Sequence, residues 1–419
     1  LSSLRNEHWQ RRAGGEAADE VCVVTLDELK AAAGAAVEGV GNDLIAISRY
    51  LHANPEVAYE EERAAAHLTD YLERQGFRVE RRVGGLPTAF RATFGAPAGT
   101  APAIAFLAEY DALPGLGHAC GHNLIATGSV GAALGARALL DRVPGRIVVV
   151  GCPAEERGGG KIALARAGLF DGCAGAMLVH PSNRTEIVKL ALGMRPLRVE
   201  FFGRASHAAA APHQGVNALD AVLLAFAAIG ALRQQVRGDA RIHGIITHGG
   251  EAPNIIPAHA AARFMLRALD REYLEDLSRR VVACFEGAAA ATGCRLKVEP
   301  EGADYQPFLP NRTLGALFRR NLEALGVPVD QGPEDSELGS TDVGNVSWVA
   351  PTLHPTVAIC GPEASCHMPA FAEAAVSDRG HAGMLAGAKA MAMTAADLLA
   401  DQAARDAVRR EFSAARGGA

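Results

Sequence analysis

Aromatic side chains are scarce in this chain, at 5 % of its 419 residues, whereas 49 % are apolar, so a core of any size has to be packed mainly from Ala, Val, Leu and Gly. Such a core suits helices lying close against a sheet. Any basic stripe is also missing. The formal net charge is −6 with acids and bases interspersed, which excludes the electrostatic footprint of a nucleic-acid partner. The cysteines at 22, 120, 152, 173, 284, 294, 360 and 366 have no framework spacing, so reduced thiols are expected rather than disulfides. No apolar run reaches the roughly 18 residues of a membrane span, and the opening LSSLRNEHWQRRAGGEAADE lacks the apolar core of a secretory signal. A soluble, cytoplasmic protein without a membrane partner is the expectation, and no internal repeat is visible.

The length argues for two domains. Residues 1–25 read as a loose arm, 43–51 as the first firm helix, broken at Asn54-Pro55, and 61–75 as a second, with Ala65, Leu68, Tyr71 and Leu72 on one face. Apolar runs at 103–108, 146–150 and 175–179 read as strands, with helices at 123–140 and 161–169 between them. This alternation predicts an α/β fold with a mostly parallel sheet covered by helices. From about residue 195 the texture changes. Strand 197–202, helix 217–236, strands 241–247 and 260–269, helix 272–290 and strand 295–299 follow in the order of a ferredoxin-like sandwich. A second domain is therefore expected at 195–304, inserted between first-domain segments 1–194 and 305–419. The first pattern then resumes with helix 312–325, a loop at 336–342, strand 356–359 and a closing helix at 381–401, and the last residues, 415–419, are expected to fray.

Each of the three apolar strands ends in a polar cluster. The first leads through Glu109-Tyr110-Asp111 to His118-Ala-Cys120-Gly-His122-Asn123, the second into Cys152-Pro153-Ala154-Glu155-Glu156, and the third into His180-Pro181. Taken singly, each residue has an ordinary structural reading as a buried thiol, a hydrogen-bonding imidazole or a solvated loop acid. Together at the carboxyl edge of a sheet, Cys120, His122, Glu156, His180 and a later His367 make a set able to hold two ions, bridged by the Cys120 thiolate or by a carboxylate. Glu155 is left over to act as a base on bound water.

The segments Ala108-Glu-Tyr-Asp-Ala-Leu-Pro, Gly117-His-Ala-Cys-Gly-His-Asn123, Pro153-Ala-Glu-Glu156, Val179-His-Pro181, Ala205-Ser-His-Ala208, Asn254-Ile-Ile-Pro257 and Gly339-Ser-Thr-Asp342 resemble, in order, the motifs of the aminoacylase and carboxypeptidase G metallopeptidase superfamily. The resemblance spans about 43–400 and is strongest to the branch of aminobenzoyl-glutamate hydrolase, auxin-conjugate amidohydrolases and β-alanyl dipeptidases. It implies Cys120 as the bridging ligand, His122, Glu156, His180 and His367 as terminal ligands, Glu155 as general base, and Asp111 as a carboxylate that orients a ligand. His207, from the inserted domain, would donate to the oxyanion, with Asn254 and Arg267 on the substrate carboxylate. His118 is a further substrate-contact candidate, as are His213, His248 and Arg263. Glu109 departs from the pattern: many relatives carry a metal-binding His or an Asp there, which implies a poorer shell for one ion. The inserted domain implies a homodimer.

The implied activity is a metal-dependent amidohydrolase, carrying one or two Mn²⁺ or Zn²⁺ ions, that cleaves an N-acyl or N-aroyl amino acid or a dipeptide with a free carboxylate. A second enzyme reading directs the same metal and water at an aromatic carbon bearing an amino group, as for a 5-nitroanthranilate-like substrate. A non-enzyme reading is a binding protein on a decayed peptidase scaffold. Retention of Glu155 beside Glu156 argues against it.

Overall fold

Thr25 and Glu28 trade hydrogen bonds across the start of the first helix in the computed structural model, which describes residues 24–335 and 338–417. This capping box opens α1 (Leu26–Gly39), whose Leu29, Ala33 and Val37 are buried at one-turn spacing. The sequence reading leaves this stretch unassigned, since its buried stripe is short and surrounded by small residues. The arm expected at 1–25 falls almost entirely outside the described residues. Next come α2 (Gly41–Ala53), which stops ahead of Pro55, and α3 (Glu62–Arg74).

β1 (Arg78–Arg81) and β2 (Phe90–Gly95) form an antiparallel pair, neither read from sequence. Then follow β3 (Ala103–Glu109), α4 (His122–Arg137), β4 (Arg146–Cys152), α5 (Gly160–Arg166), β5 (Cys173–Met177) and β6 (His180–Ser182). The second unit contributes β7 (Gly193–Phe202), α6 (Ala218–Leu232), β8 (Arg241–His248), β9 (His259–Ala268), α7 (Arg271–Thr292) and β10 (Arg295–Pro300). The chain closes through α8 (Arg312–Ala324), α9 (Val343–Ser347), β11 (Thr352–Leu353), β12 (Thr356–Ala358), α10 (Pro369–Ala374), α11 (Asp378–Ala400) and α12 (Gln402–Gly417). Of the tail expected to fray, 415–419, residues 415–417 close α12 and 418–419 lie outside the described residues.

The first unit's sheet has the order β1-β2-β4-β3-β5-β11, parallel from β4 to β11, with β1 and β2 antiparallel at one edge. Glu109 of β3 pairs with Cys152 of β4, so these strands end level and the loops that follow them start side by side. β6 and β12 pair in parallel beyond the main sheet. On one side of the sheet lies α4, buried at every residue from His122 to Ala136 and packed on β3, α1, α2 and α11. A helix enclosed all round needs small residues wherever neighbours cross it.

The second unit, Leu190–Phe308 with Leu338–Gly344, is a four-stranded antiparallel sheet ordered β10-β7-β9-β8, with α6 and α7 packed on β7 and β9. The residues around the expected loop at 336–342 divide between the units here. One stretch, Ala218–Gln235, is long and apolar enough by composition to cross a membrane, a feature the sequence reading passes over, but its buried face packs against β7, β9 and α7.

Gly135 shows how tight the first unit's helix layer is. A Cβ there would meet Ala392 Cβ and Val37 Cγ2 at 2.7 Å and the Ala33 carbonyl oxygen at 2.9 Å. Gly135→Ala should lower stability by about 1–3 kcal/mol in spite of its better helix propensity. Gly128→Ala on the same helix, where the nearest atom is Met384 Cγ at 3.6 Å, should be neutral or stabilising by up to about 1 kcal/mol. Thermal unfolding of both variants checks the contrast, and equal midpoints would refute it.

Candidate metal centre

Four segments of the first unit, at the start of α4, after β4, at the start of β6 and before α10, bring the sequence-predicted ligands together. Gly121, between Cys120 and His122, has φ 78°, and a Cβ there would stand 2.4 Å from Pro181 Cγ, so only glycine lets the α4 start approach the turn that carries His180. Cys120 Sγ then lies 3.6 Å from His180 Nε2. His122 Nε2 is 3.8 Å from Glu156 Oε1, and His367 Nε2 reaches the same oxygen at 3.4 Å, an ion-pair distance without hydrogen-bond alignment. Cys120, His122 and His180 form one compact donor group, Cys120, Glu156 and His367 a second, and His122, Glu155 and Glu156 a third. All five expected ligands and the expected base therefore share one neighbourhood.

The imidazoles are aimed by their far nitrogens. His122 Nδ1 lies 2.9 Å from the Asp111 carbonyl and 3.0 Å from Asp111 Oδ1, and His180 Nδ1 lies 2.7 Å from the Pro181 carbonyl. Each acceptor holds the proton on Nδ1 and turns Nε2 toward the cluster, the usual arrangement behind a metal-binding histidine. The second oxygen of Asp111 accepts the Glu156 amide at 3.0 Å, so one buried carboxylate orients two expected ligands. Burial lowers the His122 pKa, but the carboxylates of Asp111, Glu109 and Glu156 more than reverse this and leave it well above the ordinary value. Glu156 is pushed up by burial and pulled further down by His367 and His122, to about 2. His122 Nε2 and Glu156 Oε1 are buried atoms with no hydrogen-bond partner. Buried polar atoms are seldom left unmatched, and a thiol, carboxylates and aimed imidazoles are the donors a divalent ion takes. The residues present fit such an ion.

Glu61, from the start of α3, is a supporting residue to which the sequence reading gives no role. It is fully buried and accepts the Ala154 amide at 2.8 Å and the Thr88 hydroxyl at 2.8 Å. Ala154 has φ 59°, a left-handed conformation costly for a residue with a Cβ, and it immediately precedes Glu155 and Glu156. Glu61 therefore clamps the strained turn from which both acids project. No local signal reveals this, because the partners are 93 residues apart. Glu109 is also occupied: Oε1 pairs with the buried Lys161 ammonium at 2.8 Å, while Oε2 stands 3.7 Å from His122 Nε2. His354, equally unforeseen, lies edge-on to His180 with ring centroids 5.8 Å apart, and burial lowers it to about 3.

His118, expected to touch substrate, is enclosed. It is 2 % exposed and layered on His52, and burial lowers it to about 3. A ring with no open face serves here as internal support for the loop carrying Cys120.

Within the second unit, His207 and Asn254 lie on adjoining segments: Ala208 N donates to Asn254 O at 3.0 Å and Ile256 N to Ser206 O at 2.9 Å. His207 is exposed, and its Nδ1 accepts from Ala210 N at 3.1 Å and Ala209 N at 3.3 Å, which leaves the proton on Nε2. Arg267 lies on β9 between Met194 and Arg241. Its half-buried guanidinium contacts Met265 Sδ at 3.1 Å and has no carboxylate partner among the described residues. Arg263 pairs with Glu301 at 2.8 Å, and His248 stacks on His259. His213 is exposed in a short turn.

A sequence profile described as "Peptidase dimerisation domain", the M20 dimerisation family, matches residues 192–292. The chain is 42 % identical over 402 residues to "Xaa-Arg dipeptidase" of Mus musculus, covering 92 % of this chain and 93 % of that one. It is 31 % identical to one component of the "p-aminobenzoyl-glutamate hydrolase" of Escherichia coli, over 83 % and 87 % of the two chains. A solved structure of "a Dinuclear Metal Binding Peptidase from M20 Family" of Bacillus subtilis superposes with a TM-score of 0.66 at 19 % identity, over 86 % of this chain and 99 % of that one, and shares the fold. The donor cluster of the first unit and relatives of this similarity agree: the chain belongs to the M20 peptidase family and is a metal-dependent hydrolase of amide bonds.

Proposed function

We propose that the substrate is a dipeptide or N-acyl amino acid with a free carboxylate, and that a divalent ion, Mn²⁺ or Zn²⁺, is held by Cys120, His122, Glu156, His180 and His367. The observation that carries this reading is the pair of buried atoms His122 Nε2 and Glu156 Oε1, neither with a hydrogen-bond partner and 3.8 Å apart within a ring of further donors. The mouse relative's name supports a dipeptide whose leaving residue is arginine or similarly basic.

When bound, the ion supplies Lewis acidity that makes water a nucleophile near neutral pH. Glu155 takes a proton from that water, the water oxygen joins the amide carbon, the C–N bond breaks, and Glu155 returns the proton to the departing amine. Asp111 keeps His122 in the tautomer that presents Nε2, and Glu61 holds the turn carrying Glu155. His207, with its proton on Nε2, is suited to donate to the developing oxyanion, and Asn254 with Arg267 to hold the substrate carboxylate. The second unit serves as lid and dimerisation domain of a homodimer. Exposed Leu223 and Leu224 on α6 and Ile245 and Ile246 on the edge strand β8 support that role. Seven free thiols among the described residues support a reducing compartment such as the cytoplasm.

Chelation should abolish turnover of an Xaa-Arg dipeptide, and re-addition of Zn²⁺ or Mn²⁺ should restore it. His122→Ala and His180→Ala should stay folded by circular dichroism yet lose metal by elemental analysis. Full activity in stripped protein would refute the reading.

Glu155→Gln keeps the shape but cannot accept a proton. Metal content should be retained and kcat should fall by at least the ~10²-fold that general-base catalysis supplies. A variant within threefold of the parent would assign the base elsewhere.

Arg267→Lys should weaken kcat/KM for a free-acid substrate by about 1.5–3 kcal/mol, the scale of a hydrogen bond to a charged group. The matching carboxamide should lose much less, and equal losses for the two forms would remove Arg267 from the carboxylate grip.

A further inference from the structure

Among the described residues, the large apolar side chains exposed on the first unit are Tyr59, Leu116 and Met368, and all of them stand on loops tied to the metal centre. Tyr59 is the most firmly fixed. Its hydroxyl donates to the Gly158 carbonyl at 3.0 Å, and its ring lies so close over Gly158 that a Cβ there would collide with it. Gly158 N in turn donates to the Ala154 carbonyl at 3.0 Å and closes the turn that carries Glu155 and Glu156. Leu116 lies in the tight turn ahead of Cys120, closed by Leu113 N on the Gly117 carbonyl at 2.9 Å. The same loop is bound to the segment of Tyr59, since Ala112 N donates to the Glu56 carbonyl at 2.8 Å. Met368 follows His367, whose amide donates to the Ala119 carbonyl at 2.9 Å, and Met368 Sδ accepts the Ser365 hydroxyl at 3.3 Å.

Single apolar side chains on a surface are ordinary, and on the bland account Tyr59 only tethers the turn beneath it. Backbone conformation and chemistry favour a ligand instead. Tyr59 has φ 67°, a left-handed conformation rare for a bulky residue, and strain of this kind collects at ligand clamps. Its phenol proton is committed to Gly158 while the residue as a whole stays 40 % exposed, so what it offers outward is mainly the apolar ring. An aromatic face, a leucine and a methionine, whose sulfur suits aromatic partners, match an apolar group rather than a charged one. The carboxylate grip proposed above engages the amino acid that leaves. The acyl group is then the part of the substrate that remains for the rim of the centre.

We propose that Tyr59, Leu116 and Met368 form the subsite for the substrate's acyl group, with Tyr59 as its main specificity-determining residue, and that this subsite prefers an aromatic or other bulky apolar acyl group to a small one. The proposal rests on the substrate reading given above and supplies its acyl side.

The test compares N-benzoyl-arginine with N-acetyl-arginine on the full-length, metal-loaded protein, because the two share leaving amine and carboxylate and differ only in the acyl group. The parent should favour the benzoyl substrate in kcat/KM by at least ~10-fold, the scale on which an apolar pocket discriminates. Tyr59→Ala should cut that ratio by about three- to tenfold, the worth of an aromatic contact, and mainly through KM. Tyr59→Phe, which keeps the ring and loses the bond to Gly158, should hold the ratio. A parent without preference overturns the proposal. So does an unchanged ratio in Tyr59→Ala, and equal losses on both substrates in the Ala and Phe variants would make the ring a tether alone. Should Tyr59→Ala not fold by circular dichroism, Leu116→Ala and Met368→Ala carry the same comparison, and an unchanged ratio in both overturns it. Failure of the underlying substrate reading looks different: the parent would then cleave neither acyl-arginine, and the subsite would fall with it.

Discussion

The Asp111 carboxylate is the joint on which the first unit's chemistry depends. Buried at the end of β3, it accepts the His122 imidazole at the start of α4 with one oxygen and the Glu156 amide in the loop after β4 with the other. A strand end, a helix start and a neighbouring loop are thereby locked at one point. The sheet makes this possible, since the level ending of β3 and β4 starts their loops side by side. An ionised carboxylate inside a protein is tolerable only when its lone pairs are filled, and here the groups that fill them are the ones that must be aimed. His122 and Glu156, with the other donors around them, outweigh the effect of burial and hold the Asp111 pKa below the usual carboxylate range.

Around that joint the backbone is held in conformations it would not choose. Gly121 and Ala154 both sit at positive φ, one between Cys120 and His122, the other just before Glu155. Gly121 tolerates this for want of a Cβ. Ala154 does not, and the Glu61 carboxylate compensates by capturing its amide from across the chain. His367 is a third such position, tied by its own amide to Ala119. Strain concentrated at two donor-bearing loops, each with an identifiable tether, belongs to a preorganised site.

Charge is balanced with comparable economy. Glu109, Asp111, Glu155 and Glu156 crowd one region, and the buried Lys161 ammonium is matched to Glu109 at 2.8 Å. A buried pair of this kind contributes little net stability, because desolvating both ions offsets their attraction, but removing either partner leaves an uncompensated charge. Its consequence is positional: one Glu109 oxygen is fixed on Lys161 while the other faces His122. The departure at Glu109 that suggested a poorer shell for one ion is thus accompanied by a dedicated cation at the start of α5, the helix that follows the neighbouring strand β4.

The sequence by itself determined the α/β alternation, the βαββαβ order of the second unit and the cluster of Cys120, His122, Glu155, Glu156, His180 and His367, because strand periodicity, turn chemistry and motif order are local properties of the chain. Elements with weak local signals escaped it: α1 with its small buried residues, the short edge strands β1 and β2, and α12, whose Val408 is its one fully buried side chain. Tertiary structure alone decided that His118 is enclosed, that Glu61 clamps Ala154 and that Lys161 is matched to Glu109. Each depends on atoms brought together from distant segments or on what surrounds a side chain. A histidine three residues from a glycine turn reads the same in sequence whether its ring faces solvent or the inside of a wall, and only packing distinguishes the two.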